Sequence, residues 1–276
     1  MKKVLLMLFP LLTISIAASA INPSRQYINT PDSLGLEYQA LEVSTPDGCA
    51  LNTWILAPNP EKDNETVLVL AYGDAGNMSH FVYHAAAFLQ QGFTVVAFDY
   101  RGFGKSSDFP IRTDYLYHTE FLDDLSAVVA YAEANIPHRR LGIWALSMGT
   151  ILATQAAARE EAPIDFVLAE GFVANTRQQV SRINALKGKT VILPEPASRY
   201  RRAVRRVKIP LLVFAATEDE ITTLADAEGL AAGKQSPCRV IQYKGGHLRG
   251  FQALSKRGFG DGYVAEVIRF LQENDG

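Results

Sequence analysis

The chain has 276 residues, 48% of them hydrophobic, and a formal net charge of −2. That length and apolar share suffice for one large core in a single domain. A nearly neutral charge gives no electrostatic case for nucleic acid, and the lack of any repeat period or low-complexity tract excludes solenoids and biased tracts.

The start reads as a targeting segment. Lys2 and Lys3 precede an apolar run over 4–17, then Ala18-Ser19-Ala20. A charged head, a short apolar centre and an A-x-A end describe a secretory signal peptide cleaved after Ala20, with a periplasmic or secreted product. An uncleaved anchor is the alternative, but the run is short for a bilayer span. Residues 21–276 are then the domain.

An extended arm over 21–36 leads into two alternating segments, 39–44 and 50–57, joined by Thr45-Pro46-Asp47-Gly48, which predicts a β-hairpin. From there strand and helix patterns alternate. Apolar runs at 66–71 (TVLVLA) and 93–98 predict buried strands, with helices over 80–90 and 119–134. Further strands are expected before residue 147 and at 166–169, 211–215 and 239–243, with helices at 151–158 and 263–272. The pattern predicts an α/β fold: a mostly parallel, doubly wound sheet with an N-terminal β-hairpin and helices on both faces. The segment 172–208 is too long for an ordinary connection and reads as a short cap over the site. It carries ten Lys and Arg against the single acid Glu195. Cys49 and Cys238 belong to opposite ends of the strand series, so they are expected to remain unpaired.

The chemistry centres on GIWALSMGT over 142–150. An apolar strand, a turn of small residues with Ser147 at its apex and an Ala-rich helix match a nucleophile elbow, although an ordinary β-α turn can carry the same loose pattern. Crowding in the elbow demands very small residues two before and two after the Ser. Ala145 and Gly149 fill those places, where the usual pattern has Gly at both.

Ligands of such sheets bind beyond the carboxyl ends of the strands. Tyr72-Gly73-Asp74-Ala75-Gly76-Asn77 follows one strand, and its glycines let backbone N–H groups turn into a site. The N–H groups of Asp74 and Met148 are the expected oxyanion donors. Asp99-Tyr100-Arg101-Gly102-Phe103-Gly104-Lys105-Ser106 matches no phosphate-loop spacing and reads as structural, with Arg101 tying loops together. Thr217-Glu218-Asp219-Glu220 offers three acids, of which Asp219 is the choice for orienting a histidine. Gly245-Gly246-His247 completes the order Ser, acid, His, with His247 as general base.

The runs AYGDAGNMSHF and GFTVVAFDYRGFGKSS, together with the elbow, resemble the serine aminopeptidase-like branch of the α/β-hydrolases. The resemblance covers most of the domain and implies the α/β-hydrolase fold with Ser147, Asp219 and His247 as the triad. Tyr72 stands where relatives carry His, Ala145 for Gly and Ala216 for Gly. The expected activity is a secreted serine hydrolase acting on a small-molecule carboxylic ester. Amide or peptide cleavage on the same fold is the alternative, as is a binding protein that kept the fold without the chemistry. No metal or organic cofactor is implied. The basic segment suggests attraction of an anionic substrate or of an anionic lipid surface, or else charges paired with acids on the body. No oligomeric state follows.

Overall fold

The computed structural model describes residues 20–274. Apart from Ala20, the segment read as a signal peptide lies outside the described residues. The elements in chain order are β1 (Asn22–Pro23), β2 (Gln39–Ser44), β3 (Ala50–Leu56), β4 (Thr66–Ala71), β5 (Ala75–Gly76), α1 (Val82–Leu89), β6 (Phe93–Phe98), α2 (Glu120–Asn135), β7 (Arg140–Leu146) and α3 (Met148–Ala157). Then come β8 (Phe166–Glu170), α4 (Thr176–Lys187), α5 (Ala197–Arg206), β9 (Leu211–Ala216), α6 (Leu224–Gly233), β10 (Cys238–Tyr243), α7 (Gly250–Ala253) and α8 (Asp261–Glu273). The apolar runs form strands as expected: every residue of β4, β6, β8 and β9 is buried. Helices α6 and α7 were not anticipated. Gly229 and Gly233 blur the period of α6, and α7 is a single turn.

The main sheet runs in the order β10-β9-β8-β7-β4-β6-β3-β2. The hairpin β2–β3 is antiparallel, β3 runs antiparallel to β6, and the remaining neighbours are parallel. The chain steps one way from β4 to β6, then reverses to β7 on the other side of β4. Right-handed crossovers therefore put α1 and α2 on opposite faces. Helix α1 packs with α8, while α2, α3 and α5 pack side by side. The reversal opens a crevice at the carboxyl ends of β4 and β7, where such sheets bind ligands.

The segment over 172–208 divides in two. Helix α5 packs along α3 as the crossover between β8 and β9. Its buried Tyr200 donates a hydrogen bond to the Val173 carbonyl. Arg202 and Arg206 line a surface cleft with Asp123, Glu160 and Glu161, beyond the far end of α3. Seven residues of helix, about 10 Å at 1.5 Å per residue, separate Ser147 from Gln155, the first α3 residue to line that cleft. The expectation that the whole basic segment lies over the site is thus corrected for α5, because burial of its apolar side on α3 carries it away. Helix α4 and the turn after it stay at the crevice end.

Candidate active site

Ser147 sits between β7 and α3 with φ 50° and ψ −115°. A non-glycine residue held there stores on the order of 1–3 kcal/mol of strain. The surroundings impose it: the Ser147 N–H donates to the Glu170 carbonyl at 2.9 Å, and its own carbonyl accepts from Thr150. The tightness of the turn is visible at Gly149, where an added Cβ would lie 1.8 Å from the Ala71 carbonyl oxygen. Ala145 is tolerated because it lies in the strand, level with Ala71 and Ala169 on its neighbours, in a row of small residues under the site.

Strands β9 and β10 bring the other predicted residues to Ser147. Asp219 follows β9 and is 7% exposed, while Glu218 and Glu220 face solvent. The Asp219 carboxylate accepts from the N–H groups of Ile221 and Thr222 at 2.9 and 3.0 Å and from the Thr222 hydroxyl at 2.6 Å. His247 Nδ1–H donates to Asp219 Oδ2 at 2.6 Å, which leaves Nε2 to accept the Ser147 hydroxyl at 2.9 Å. Burial pushes the Asp219 proton affinity up, but the hydrogen bonds and charge from His247 and the bonds from Thr222 outweigh it and hold the group at about 2. The histidine loop needs open space beside it. At Gly171, φ 64°, a Cβ would lie 2.7 Å from His247 Cε1.

The loop over 72–77 passes beside Ser147: a Cβ added at Gly73 would be 3.5 Å from the Ser147 Cβ. Asp74 is the next residue of this loop, and Met148 follows Ser147 directly as the first residue of α3. The N-terminal arm clamps this loop. Asn22 N–H donates to the Asp74 carbonyl at 2.8 Å, Ser24 N–H to that of Gly76, and the buried Asn77 amide to the carbonyls of Ser24 and Gln26. Asp99 locks the other side, accepting Met78 N–H and Lys105 N–H, with the Tyr27 hydroxyl donating as well. The departure at Tyr72 fits this cluster. Its ring lies 4.8 Å from that of Tyr100, and its hydroxyl reaches toward Asp99 at 3.5 Å. Arg101 ties loops together as expected, bonding Asp47 and the buried Asp124.

Sequence reasoning missed Glu170, Tyr243 and Thr222. Glu170 ends β8 and is 2% exposed. Its Oε1 accepts the Gly250 N–H at 2.7 Å and the Tyr243 hydroxyl at 2.8 Å, closing the base of the loop that carries His247. Burial raises its proton affinity. The only available signal was an acid at the end of an otherwise apolar strand. Thr222 donates to Asp219 and lies 3.2 Å from His247 Nδ1, a role no local pattern marks. Of the remaining histidines, His84 sits among Phe81, Trp144, Phe251 and Phe259, where burial lowers its pKa to about 4. Among the described residues no cluster of His, Cys, Asp or Glu is placed to hold a metal ion.

Comparison with known proteins agrees with this architecture. The serine aminopeptidase S33 family model matches residues 62–198. Protein bem46 of Schizosaccharomyces pombe is 22% identical over 263 residues, spanning 91% of this chain and 82% of its own. The YfhR protein of Escherichia coli O157:H7 is 27% identical over 239 residues, covering 84% and 80%. Among solved structures, the Pyrococcus furiosus esterase Pf2001 superposes with TM-score 0.70 at 19% identity, over 92% of this chain and 97% of its own. XC6422 of Xanthomonas campestris, described as a serine hydrolase without a lid, gives 0.59 at 18% identity over 86% and 93%. With the sheet order, the elbow and the matched segment in agreement, the chain belongs to the α/β-hydrolase superfamily and is a serine hydrolase.

Proposed function

We propose that the protein is an exported carboxylic-ester hydrolase acting through an acyl-enzyme on Ser147. The observation that carries this reading is the continuous chain from the Ser147 hydroxyl to His247 to Asp219, at 2.9 and 2.6 Å. His247 Nε2 takes the hydroxyl proton as Ser147 Oγ forms a bond to the ester carbonyl carbon. The carbonyl oxygen becomes an oxyanion that accepts from the N–H groups of Asp74 and Met148, the latter at the positive end of α3. Collapse breaks the bond to the alcohol oxygen, which leaves with the proton from His247. Water then attacks the acyl-enzyme, giving its proton to His247, and the acid is released as Ser147 is reprotonated. Asp219 keeps the imidazole in the tautomer that leaves Nε2 as acceptor.

Amide cleavage is a second reading, favoured by the serine aminopeptidase family match. The same atoms serve both, and the difference is how well the leaving nitrogen is protonated. Esters of graded acyl length, assayed beside aminoacyl amides, separate the two. Fluorophosphonate labelling at Ser147 tests the chemistry itself; a chain that takes no label while folded is a binding protein on this fold.

A further inference from the structure

Large hydrophobic side chains are seldom left exposed without use when they gather on one face. Among the described residues the exposed ones are Ile28, Tyr83, Leu186, Ile192 and Phe259, between 39% and 61% accessible. All lie on segments at the crevice end of the sheet. The Ile28 N–H donates to Ser79 Oγ, in the turn that follows the Asp74 loop. Tyr83 is in the first turn of α1, just beyond it. Leu186 ends α4. Ile192 is held by backbone bonds to Asp114 and Leu116, in the connection after β6. Phe259 packs on His84 and Phe251, the latter four residues after His247.

Two of these segments are also basic. Leu186 is followed by Lys187 and Lys189, and Phe259 is preceded by Lys256 and Arg257. The second turn is built rather than loose: the Asp261 carboxylate accepts the N–H groups of Lys256, Arg257 and Gly258 at 2.7, 2.9 and 3.3 Å. The first follows α4, whose Arg182 pairs with Asp226 and donates to the carbonyl of Ile221, two residues after Asp219. Burial raises the proton affinity of the Asp74 carboxyl, and His247, Lys187 and Lys189 oppose that rise. Elsewhere at this end, Arg25 pairs with Asp108 and Arg112 with Asp114, and the acids Glu218 and Glu220 face solvent beside Asp219. Helix α5 is as basic but carries no exposed large hydrophobic, and its Arg202 and Arg206 line the cleft beyond the far end of α3.

We propose that the edge of the molecule bearing Ser147 docks on an anionic phospholipid surface. Leu186, Ile192 and Phe259 enter the boundary between headgroups and chains, and Lys187, Lys256 and Arg257 meet the phosphates. Apolar groups carried on separate turns around a mouth, each with a cation beside it, suit a planar, fluid, negatively charged partner. A protein partner favours one contiguous apolar patch. In this position the crevice faces the membrane, so lipid esters reach Ser147 without crossing water. That consequence rests on the catalytic reading; the docking does not.

The test is quenching of tryptophan by brominated lipid. The native Trp54 and Trp144 are 3% and 0% exposed, so an added tryptophan reports lipid contact. Ile192→Trp and Phe259→Trp are prepared in the full chain, with Arg202→Trp on α5 as the control. Each is mixed with vesicles of brominated phosphatidylcholine, with or without brominated phosphatidylglycerol. Residues 1–19 are common to all, so differences between positions report the edge itself. The expected result is quenching of the first two with phosphatidylglycerol present, weaker in 1 M salt, and none of the control. Replacing Lys187, Lys256 and Arg257 together by Gln should weaken vesicle binding roughly a hundredfold, about fivefold per charge. Equal quenching at all three positions, indifference to phosphatidylglycerol, or no quenching at all overturns the proposal. Ser147→Ala should dock like the parent while taking no fluorophosphonate, which separates failure of the docking from failure of the catalytic reading.

Discussion

Ser147 is positioned by neighbours that hold its backbone, so its side chain can be changed without disturbing the turn. Ser147→Ala is expected to keep the fold and to lose turnover by about 10⁶, measured as ester hydrolysis beside circular dichroism. The two small residues flanking it differ in what crowds them. Gly149→Ala would drive a Cβ into the Ala71 carbonyl oxygen, which is backbone and has nowhere to go. Ala145→Gly restores the usual pattern at the cost of strand entropy, about 1 kcal/mol. The first variant should fail to accumulate in soluble form and the second should express and turn over normally; equal behaviour contradicts the account of the elbow. Asp219→Asn should slow turnover by about 10⁴, whereas Glu218→Gln and Glu220→Gln, on solvated side chains, should leave it nearly unchanged. The same substitution reports on acid stability. The Asp219 carboxyl is held at about 2, below its value of about 3.9 in an unfolded chain. It therefore stabilises the fold fully above pH 4 and loses that effect as the pH falls through 2. Thermal unfolding of parent and Asp219→Asn should differ at pH 7 and converge toward pH 2.

Loops, rather than strands, carry the groups that meet at the crevice, and each is tied down by a distant element. The turn between β10 and α7 is closed by Glu170, through Tyr243 and the Gly250 N–H. Tyr243→Phe keeps the ring in place and removes the hydroxyl that bonds Glu170 and accepts from Arg249 N–H. Net loss of such a bond costs about 1 kcal/mol, a small change in melting temperature. Its effect should fall on kcat, by roughly tenfold, with KM little altered, because the loop places the base rather than the substrate. A change in KM alone would assign Tyr243 to substrate binding. The hairpin β2–β3 and strand β10 form opposite edges of the sheet, and Cys49 and Cys238 stand on them, unpaired. Titration of the denatured, unreduced protein should find both thiols; finding none would mean the edges meet.

At the scale of the molecule, the sheet order places chemistry and surface character on the same end. The reversal of winding between β6 and β7 puts the crevice there, and every loop that could flank a substrate follows from it. The basic segment is split by packing: α5 spends its apolar side on α3, and only α4 and the turn beyond it border the site. An anionic ester should therefore lose kcat/KM with salt through Lys187 and Lys189. Substituting Arg201, Arg202, Arg205 and Arg206 by Gln should leave that salt dependence intact. A flattened dependence in the α5 variant would return those arginines to the substrate's approach.

Much of this was written in local sequence. Apolar runs at 66–71 and 93–98 became buried parallel strands, because a strand covered on both faces leaves no position for polar residues. Small residues around Ser147 declared the elbow, because its backbone geometry excludes larger ones. The Gly pair before His247 and the chain order Ser, acid, His were equally legible. Other features were decided only when distant segments met. Asp219 was one of three adjacent acids until burial beside Thr222 and His247 distinguished it. Glu170 was an acid at a strand end until Gly250 and Tyr243 reached it from the far side of the histidine loop. The arm after Ala20 looked like a leader into the hairpin and turned out to clamp the Asp74 loop, more than fifty residues away in sequence. Helix α5 carried the charge of a cap and the packing of a crossover. Periodicity and turn chemistry are properties of neighbours along the chain. Which carboxylate is desolvated, and which helix face finds a partner, depends on contacts between elements that local sequence does not record.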